Sequence, residues 1–245
     1  MTMCDFVASR DPLKYVTQFQ GSRENTAPLA PWLVKYVDHF SVPYFYSYEL
    51  GTVNMWLGYA AGDSGTVPST SKTVTNAHFD GVDNLFAVIS GKKTFYLWDP
   101  TSARGLYTYA PVTSISDSGR ITMGNPPNPD IPKSFSNPYV LKRPKTAQVP
   151  IIPPNELEYS LPNGEVLSGS AISSMFPMFK RNTTMAMCEV NPGDMIYFPG
   201  CYFHEVVSSG RHLGINFWMR YSDSKDELLQ QNPSYGNSGL RISSY

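Results

Sequence analysis

Hydrophobic residues in this chain fall in short runs separated by turn-forming residues. Apolar residues cluster at Val53–Ala60, Leu85–Ile89, Phe95–Trp98, Ala186–Val190, Met195–Phe198, Tyr202–Ser208 and Leu213–Arg220. Runs of this length, rich in β-branched and aromatic residues and bounded by Gly, Pro, Ser or Asn, predict strands. Tyr15–Gln20 has the same character and predicts a first strand. Ser90-Gly91 between the second and third runs predicts a hairpin loop. Helical periodicity is confined to short stretches: Met1–Arg10, Pro31–Phe40 with Leu33, Val34 and Val37, and Asp226–Gln231. Many short strands with turn signals between them indicate a barrel or a sandwich, and the periodicity does not choose between those two.

The pattern dissolves between Thr101 and Lys180. Segments such as Asn125-Pro126-Pro127-Asn128-Pro129 and Ile151-Ile152-Pro153-Pro154 resist long regular elements. The stretch is too long for an ordinary loop, so it is either a disordered insertion or a functional surface wrapped on the core. The expected organisation is a flanking region over 1–52, a core over 53–220 carrying an insert at 101–185, and a polar tail over 221–245.

Composition narrows this picture. A chain of 245 residues can bury a sizeable core, and its 13% aromatic content suits a loop-rich β protein. A net charge of −1 and a pI near 6.4 advertise neither nucleic acid nor an anionic membrane as partner. No apolar run approaches a membrane span. The three cysteines, Cys4, Cys188 and Cys201, lack a framework spacing and suggest free thiols in a reducing compartment. A cytoplasmic or nuclear location is expected.

Candidate chemistry gathers at two places. His78 and Asp80 are two apart, so on a strand they share one face. Lys93 begins the Phe95–Trp98 run, and a lysine turned inward there is costly unless an anion pairs with it. Taken alone, a surface lysine near a turn is the simpler reading. His204 ends the segment Gly193–His204; taken alone, a histidine between Phe203 and Val206 reads as a hydrogen-bonded core residue. Together, two histidines and one carboxylate match the donor set of a non-haem Fe(II) centre with open coordination positions. A structural zinc site would use four ligands, commonly thiolates, in a spacing absent here. Arg211-His212 reads as an exposed turn, and His39 as structural or solvent-facing.

These residues carry a resemblance. Gly193-Asp194, Pro199 and His204 resemble the second cupin motif. His78-Phe79-Asp80 with Lys93, Asn84 and Asn216 resembles the Jumonji-C branch of the iron- and 2-oxoglutarate-dependent oxygenases. Within that branch Val53–Gly58 and Asn84–Lys93 are most similar to the protein lysyl hydroxylases, and less so to the asparaginyl hydroxylases. The resemblance implies a mainly β double-stranded β-helix of the jelly-roll, cupin type, with short flanking helices and a Pro-rich insert. It implies Fe(II) at His78, Asp80 and His204, with 2-oxoglutarate and O2 as co-substrates. Lys93 would pair with the distal carboxylate of 2-oxoglutarate beside the Thr75 hydroxyl, and Asn84 and Asn216 would line the pocket. Thr75 has the wrong parity for this in a regular strand, so a bulge is required between Thr75 and His78. Asp83 is the expected acceptor for the ammonium of a substrate lysine, the alternative being a turn aspartate that bonds its own backbone.

The implied activity is hydroxylation of a side chain on a protein or peptide. Demethylation of histone lysine, RNA modification and a non-catalytic cupin binding module are the alternatives. Neither a membrane nor nucleic acid is an expected partner, and a homodimer is compatible with the sequence. Three departures stand out, the first being a Pro-rich insert longer than in the lysyl hydroxylases. An N-terminal extension typical of the branch is expected to be missing, and where relatives carry a co-substrate tyrosine this chain reads Gln18-Phe19-Gln20.

Overall fold

A computed structural model describes residues 15–21, 48–59, 72–135, 142–151, 157–160, 165–179 and 185–221. The helical stretches expected at Met1–Arg10, Pro31–Phe40 and Asp226–Gln231, and His39, lie outside the described residues. The long strands are β1 (Tyr15–Gly21), β2 (Tyr48–Tyr59), β3 (Lys72–Phe79) and β4 (Asp83–Trp98). After the insert come β9 (Met185–Val190), β10 (Met195–Phe198) and β11 (Phe203–Tyr221). These form one antiparallel sheet in the order β1-β2-β11-β4-β10, with β3 added on β11 and β9 on β4.

That sheet folds over on itself. The first half of β4 pairs with β10 and with the end of β11; its second half pairs with β9 and with the start of β11. Phe86 and Phe95 would stand about 30 Å apart on a straight strand, yet their rings meet at 5.3 Å. β4 and β11 therefore arch from one layer of a jelly roll into the other. The expected hairpin at Ser90-Gly91 is corrected accordingly: the two runs do turn there, but each pairs with β11 and not with the other. The runs at Tyr202–Ser208 and Leu213–Arg220 are likewise the two arms of β11. Between the layers lie Phe86, Val88, Phe95, Val190, Phe198 and Val206, a closed apolar set.

Gly91 makes the arch. Ser90 pairs with Leu213 and Lys92 with Ser209, so Gly91 alone stands opposite Gly210, Arg211 and His212. Its φ is +74°, and a Cβ would lie 2.5 Å from the Arg211 carbonyl oxygen and 2.8 Å from the His212 Cα. Both obstacles are backbone. His212, expected in an exposed turn, is instead fully buried against this bend.

The described part of the insert is wrapped on the core. A 3-10 turn (Pro100–Ser102), two small hairpins and a short helix cover the outer face of the β3–β11–β4–β9 layer. The hairpins are β5 (Val112–Ile115) with β6 (Ile121–Met123), and β7 (Glu158–Ser160) with β8 (Val166–Ser168). Helix α1 (Gly169–Met175) is capped by Ser168 Oγ, which accepts from the Ala171 amide, and buries Ile172. Period-2 alternation supplies the surface it covers: Phe79, Tyr96, Trp98 and Phe203 point outward, against Tyr107, Ile172 and Phe176 of the insert. Among the described residues no helix is long and apolar enough to cross a membrane.

Gly91→Ala should lower stability by more than about 2 kcal/mol, because a left-handed backbone and two immovable contacts combine. Gly193 has a φ of +92° with nothing within 4 Å of a Cβ, so Gly193→Ala should cost only about 1–2 kcal/mol. Urea unfolding midpoints compare the two; equal shifts would remove the packing argument.

Candidate metal centre

His78 sits on the last turn-ward residues of β3, and His204 is the second residue of β11. The two are cross-strand partners, and their rings stand 4.3 Å apart at 54°. Asp80 follows β3 directly and places Oδ2 3.8 Å from His204 Nε2. One ligand atom from each of the three lies within 4.8 Å of the others. His78 Nδ1 is 2.8 Å from the Asn76 carbonyl oxygen, and His204 Nδ1 is 3.2 Å from that of Tyr202. A carbonyl only accepts, so each Nδ1 carries a proton, and Nε2 is the nitrogen left for a metal. Burial, then the neighbouring His78, push the His204 pKa down to about 4, against a smaller upward pull from Asp80. His204 is therefore a neutral ligand at physiological pH. Two imidazoles and a carboxylate converging from one side fit an iron centre with open positions.

The loop before β11 holds this geometry. The Cys201 amide donates to the Asp80 carbonyl at 2.6 Å. Asp83 Oδ1 accepts from the Gly200 amide at 2.7 Å, and Oδ2 accepts from the Tyr197 hydroxyl at 3.0 Å. Both oxygens of Asp83 thus tie the turn after Asp80 to the segment leading into His204. Asp83 does not line the cavity in front of the metal ligands. Asp83, the expected ammonium acceptor, directs its bonds to Gly200 and Tyr197 and not to its own backbone.

A cavity of about 540 Å³ opens on the three ligands, and Thr75, Asn84, Lys93 and Asn216 all line it. Thr75 reaches it through a bulge: His78 pairs with His204 but Thr75 with Val206, so β3 carries one extra residue. Asn216 Oδ1 accepts from Trp56 Nε1 at 2.7 Å, and Asn216 Nδ2 donates to Asn84 Oδ1 at 2.9 Å. An indole N–H only donates, so it fixes the orientation of the first amide and through it the second.

Lys93 is 1% exposed. Its ammonium donates to Ser208 Oγ at 2.7 Å and lies 5.6 Å from the centre of the Phe86 ring. Burial lowers its pKa from 10.5 to about 7. Lys92 faces the other way, 2.6 Å from Glu189 at the surface. Sequence reasoning missed Ser208, although it continues the inward parity of His204 and Val206. Arg143 and Lys145, which read in the sequence as a solvated charge cluster, line the cavity from within the insert. No periodicity links those two to the strands. His212, buried beside the arch, is pushed down to about 4 by burial and then by the Lys93 charge.

Comparison with known proteins agrees with this arrangement. The profile of the family described as "Cupin-like domain" matches residues 6–225. The chain is 28% identical over 176 residues to "Lysine-specific demethylase JMJ32" of Arabidopsis thaliana, a match covering 68% of this chain and 41% of that protein. It is 28% identical over 170 residues to "Bifunctional peptidase and (3S)-lysyl hydroxylase JMJD7" of Homo sapiens, covering 68% and 40%. "tRNA wybutosine-synthesizing protein 5" of Homo sapiens is 22% identical over 160 residues, covering 65% and 34%. The chain spans about two fifths of the length of the first two.

Asp80→Ala, His78→Ala and His204→Ala should each weaken Mn(II) binding by more than the ~10–100-fold typical of losing a mere supporting partner. Circular dichroism should remain that of the parent, since the sheet does not depend on these side chains. Isothermal titration with Mn(II) reads the loss; parent-like affinity in Asp80→Ala would remove Asp80 from the ligand set.

Proposed function

Because the chain belongs to the cupin-like domain family, with a Jumonji-C type of site, we propose that it is an Fe(II)- and 2-oxoglutarate-dependent dioxygenase. Its product on this reading is a hydroxylated side chain on a protein or peptide, as a lysyl hydroxylase would make. The observation that carries it is Lys93: a buried ammonium in the same cavity as a histidine–aspartate–histidine triad.

His78, Asp80 and His204 would hold the metal. When bound, iron supplies the activation of dioxygen, with 2-oxoglutarate oxidised to succinate and carbon dioxide and the second oxygen atom delivered to a carbon–hydrogen bond of the substrate. Lys93 receives the distal carboxylate as a charge-assisted pair, with Ser208 and the Thr75 hydroxyl beside it. Asn84 and Asn216, held in one orientation by Trp56, present fixed dipoles along the cavity wall. Phe86, Phe95, Phe198 and Trp218 keep that wall apolar and so strengthen the Lys93 pair by excluding water.

The printed names of the relatives keep two other outcomes in view, demethylation of lysine and modification of tRNA. The His-x-Asp pattern is uncommon among Jumonji demethylases, which favours hydroxylation. An intact triad with a buried lysine argues against a binding module without catalysis.

Succinate release from 2-oxoglutarate under air with Fe(II) tests the reading, and its absence in the parent chain overturns it. Lys93→Ala should raise the apparent KM for 2-oxoglutarate at least about thirtyfold, the lower end of losing one member of a buried charge pair. Lys92→Ala should leave it unchanged. Dependence on pH follows from the lysine. Its folded pKa is about 7 when the site is free, and pairing with a carboxylate requires the ammonium. Binding above pH 7 therefore takes up a proton, and affinity for 2-oxoglutarate should fall as pH rises, approaching about tenfold per unit. Calorimetry in buffers of different ionisation enthalpy detects the proton; no uptake at pH 8 would contradict the assignment.

A further inference from the structure

The insert does more than cover the outer layer. Residues 143–146 form a turn closed by the Thr146 amide, which donates to the Arg143 carbonyl at 3.0 Å. Thr146 bridges to His78 across the open edge of β3, and the Ala147 amide donates to the Ala77 carbonyl at 2.8 Å. On its other side the turn is held by the Tyr109 and Ala110 amides, which donate to the Thr146 and Pro144 carbonyls. A basic turn is thus stitched by backbone bonds to the strand that carries the first metal ligand. Side chains play no part in those bonds.

The turn faces the cavity. Arg143 and Lys145 line its mouth; Arg143 is exposed, and Lys145 is half-buried with its ammonium 5.4 Å from the centre of the Phe79 ring. Lys142 is exposed beside them. Asp83 is engaged with Gly200 and Tyr197, and Asp80 belongs to the metal site. Among the described residues that line the cavity, Lys93, Arg143 and Lys145 carry positive charge against the single carboxylate of Asp80, on a chain whose net charge is −1. A local field of this kind steers and selects anionic groups. The overall pI near 6.4 favours a polypeptide carrying a few carboxylates over a polyanionic backbone.

We propose that the Arg143–Lys145 rim selects an acidic segment, so that the polypeptide presented to the metal carries Asp or Glu side chains beside the residue to be modified. The guanidinium of Arg143 takes a carboxylate as a bidentate pair, and Lys145 takes a second as a point charge. That the bound segment is a substrate rests on the dioxygenase reading; its binding does not.

The test uses the whole 245-residue chain, with Mn(II) and 2-oxoglutarate present and again without them. Fluorescence anisotropy compares three labelled peptides, in which a central lysine is flanked by Glu, by Gln or by Lys, and a single-stranded RNA. The Glu-flanked peptide should bind about tenfold tighter than the Gln-flanked one, and the difference should shrink at high salt. R143Q/K145Q should erase the difference, and R143E/K145E should reverse it in favour of the Lys-flanked peptide. Equal binding of the three peptides, tighter binding of the RNA, or an unchanged preference in R143E/K145E would overturn the assignment. Succinate release is followed on the same samples. A chain that prefers the Glu-flanked peptide yet releases no succinate keeps the rim and loses the dioxygenase reading. One that releases succinate yet binds all three peptides alike keeps the dioxygenase and loses the rim.

Discussion

The close approach of Gly91 to the backbone of Arg211 and His212 is the contact on which the rest depends. It lets β4 and β11 bend at the same level, and their bending turns one sheet into two facing layers. Only then do residues far apart along a strand share a cavity. Asn84 and Lys93 lie on opposite arms of β4, His204 and Asn216 on opposite arms of β11, yet all four line one space. A side chain at position 91 would open the arch and separate Asn84 and Asn216 from Lys93 and the two histidines.

Much of this was legible in the sequence, for a physical reason. Strands alternate with period two, so His78 with Asp80 and His204 with Val206 announce a shared face without any knowledge of the fold. Parity also demanded a bulge below His78, and the pairing of Thr75 with Val206 supplies one. What parity cannot give is the partner of each strand. Leu85–Ile89 and Phe95–Trp98 flank a glycine turn in an arch as they would in a hairpin, and only the long-range ladder with β11 separates the two. His212 was misplaced for the same reason. A polar dipeptide after Gly210 looks like a surface turn until a second strand packs its bend against it.

Asp83 has a structural role that its position in the sequence did not announce. An acidic residue just beyond two metal ligands invites a role at the substrate. In this chain its carboxylate bridges the Gly200 amide and the Tyr197 hydroxyl, which fixes the separation of the two loops that deliver Asp80 and His204. The insert was illegible for the opposite reason. Its proline-rich sequence forbids long elements but allows single bridges, and one at Thr146 ties the insert to the His78 end of β3.

Burial of Lys93 links stability to binding. Its folded pKa is about 7 against 10.5 for a free lysine, so between those values the unfolded chain holds a proton that the folded chain has released. Stability from this group is therefore present above the unfolded value and is lost as pH falls toward 7, where the ammonium must form inside the fold. A protein working near neutral pH thus carries a group that opposes folding when the cavity is free. A dicarboxylate bound in the cavity removes that opposition by pairing with the ammonium, so part of its binding energy relieves a cost already present in the fold. The same apolar wall that makes Lys93 expensive would make such a pair strong, and a preference of the cavity for an anion would then follow from a destabilising residue kept in place by the arch.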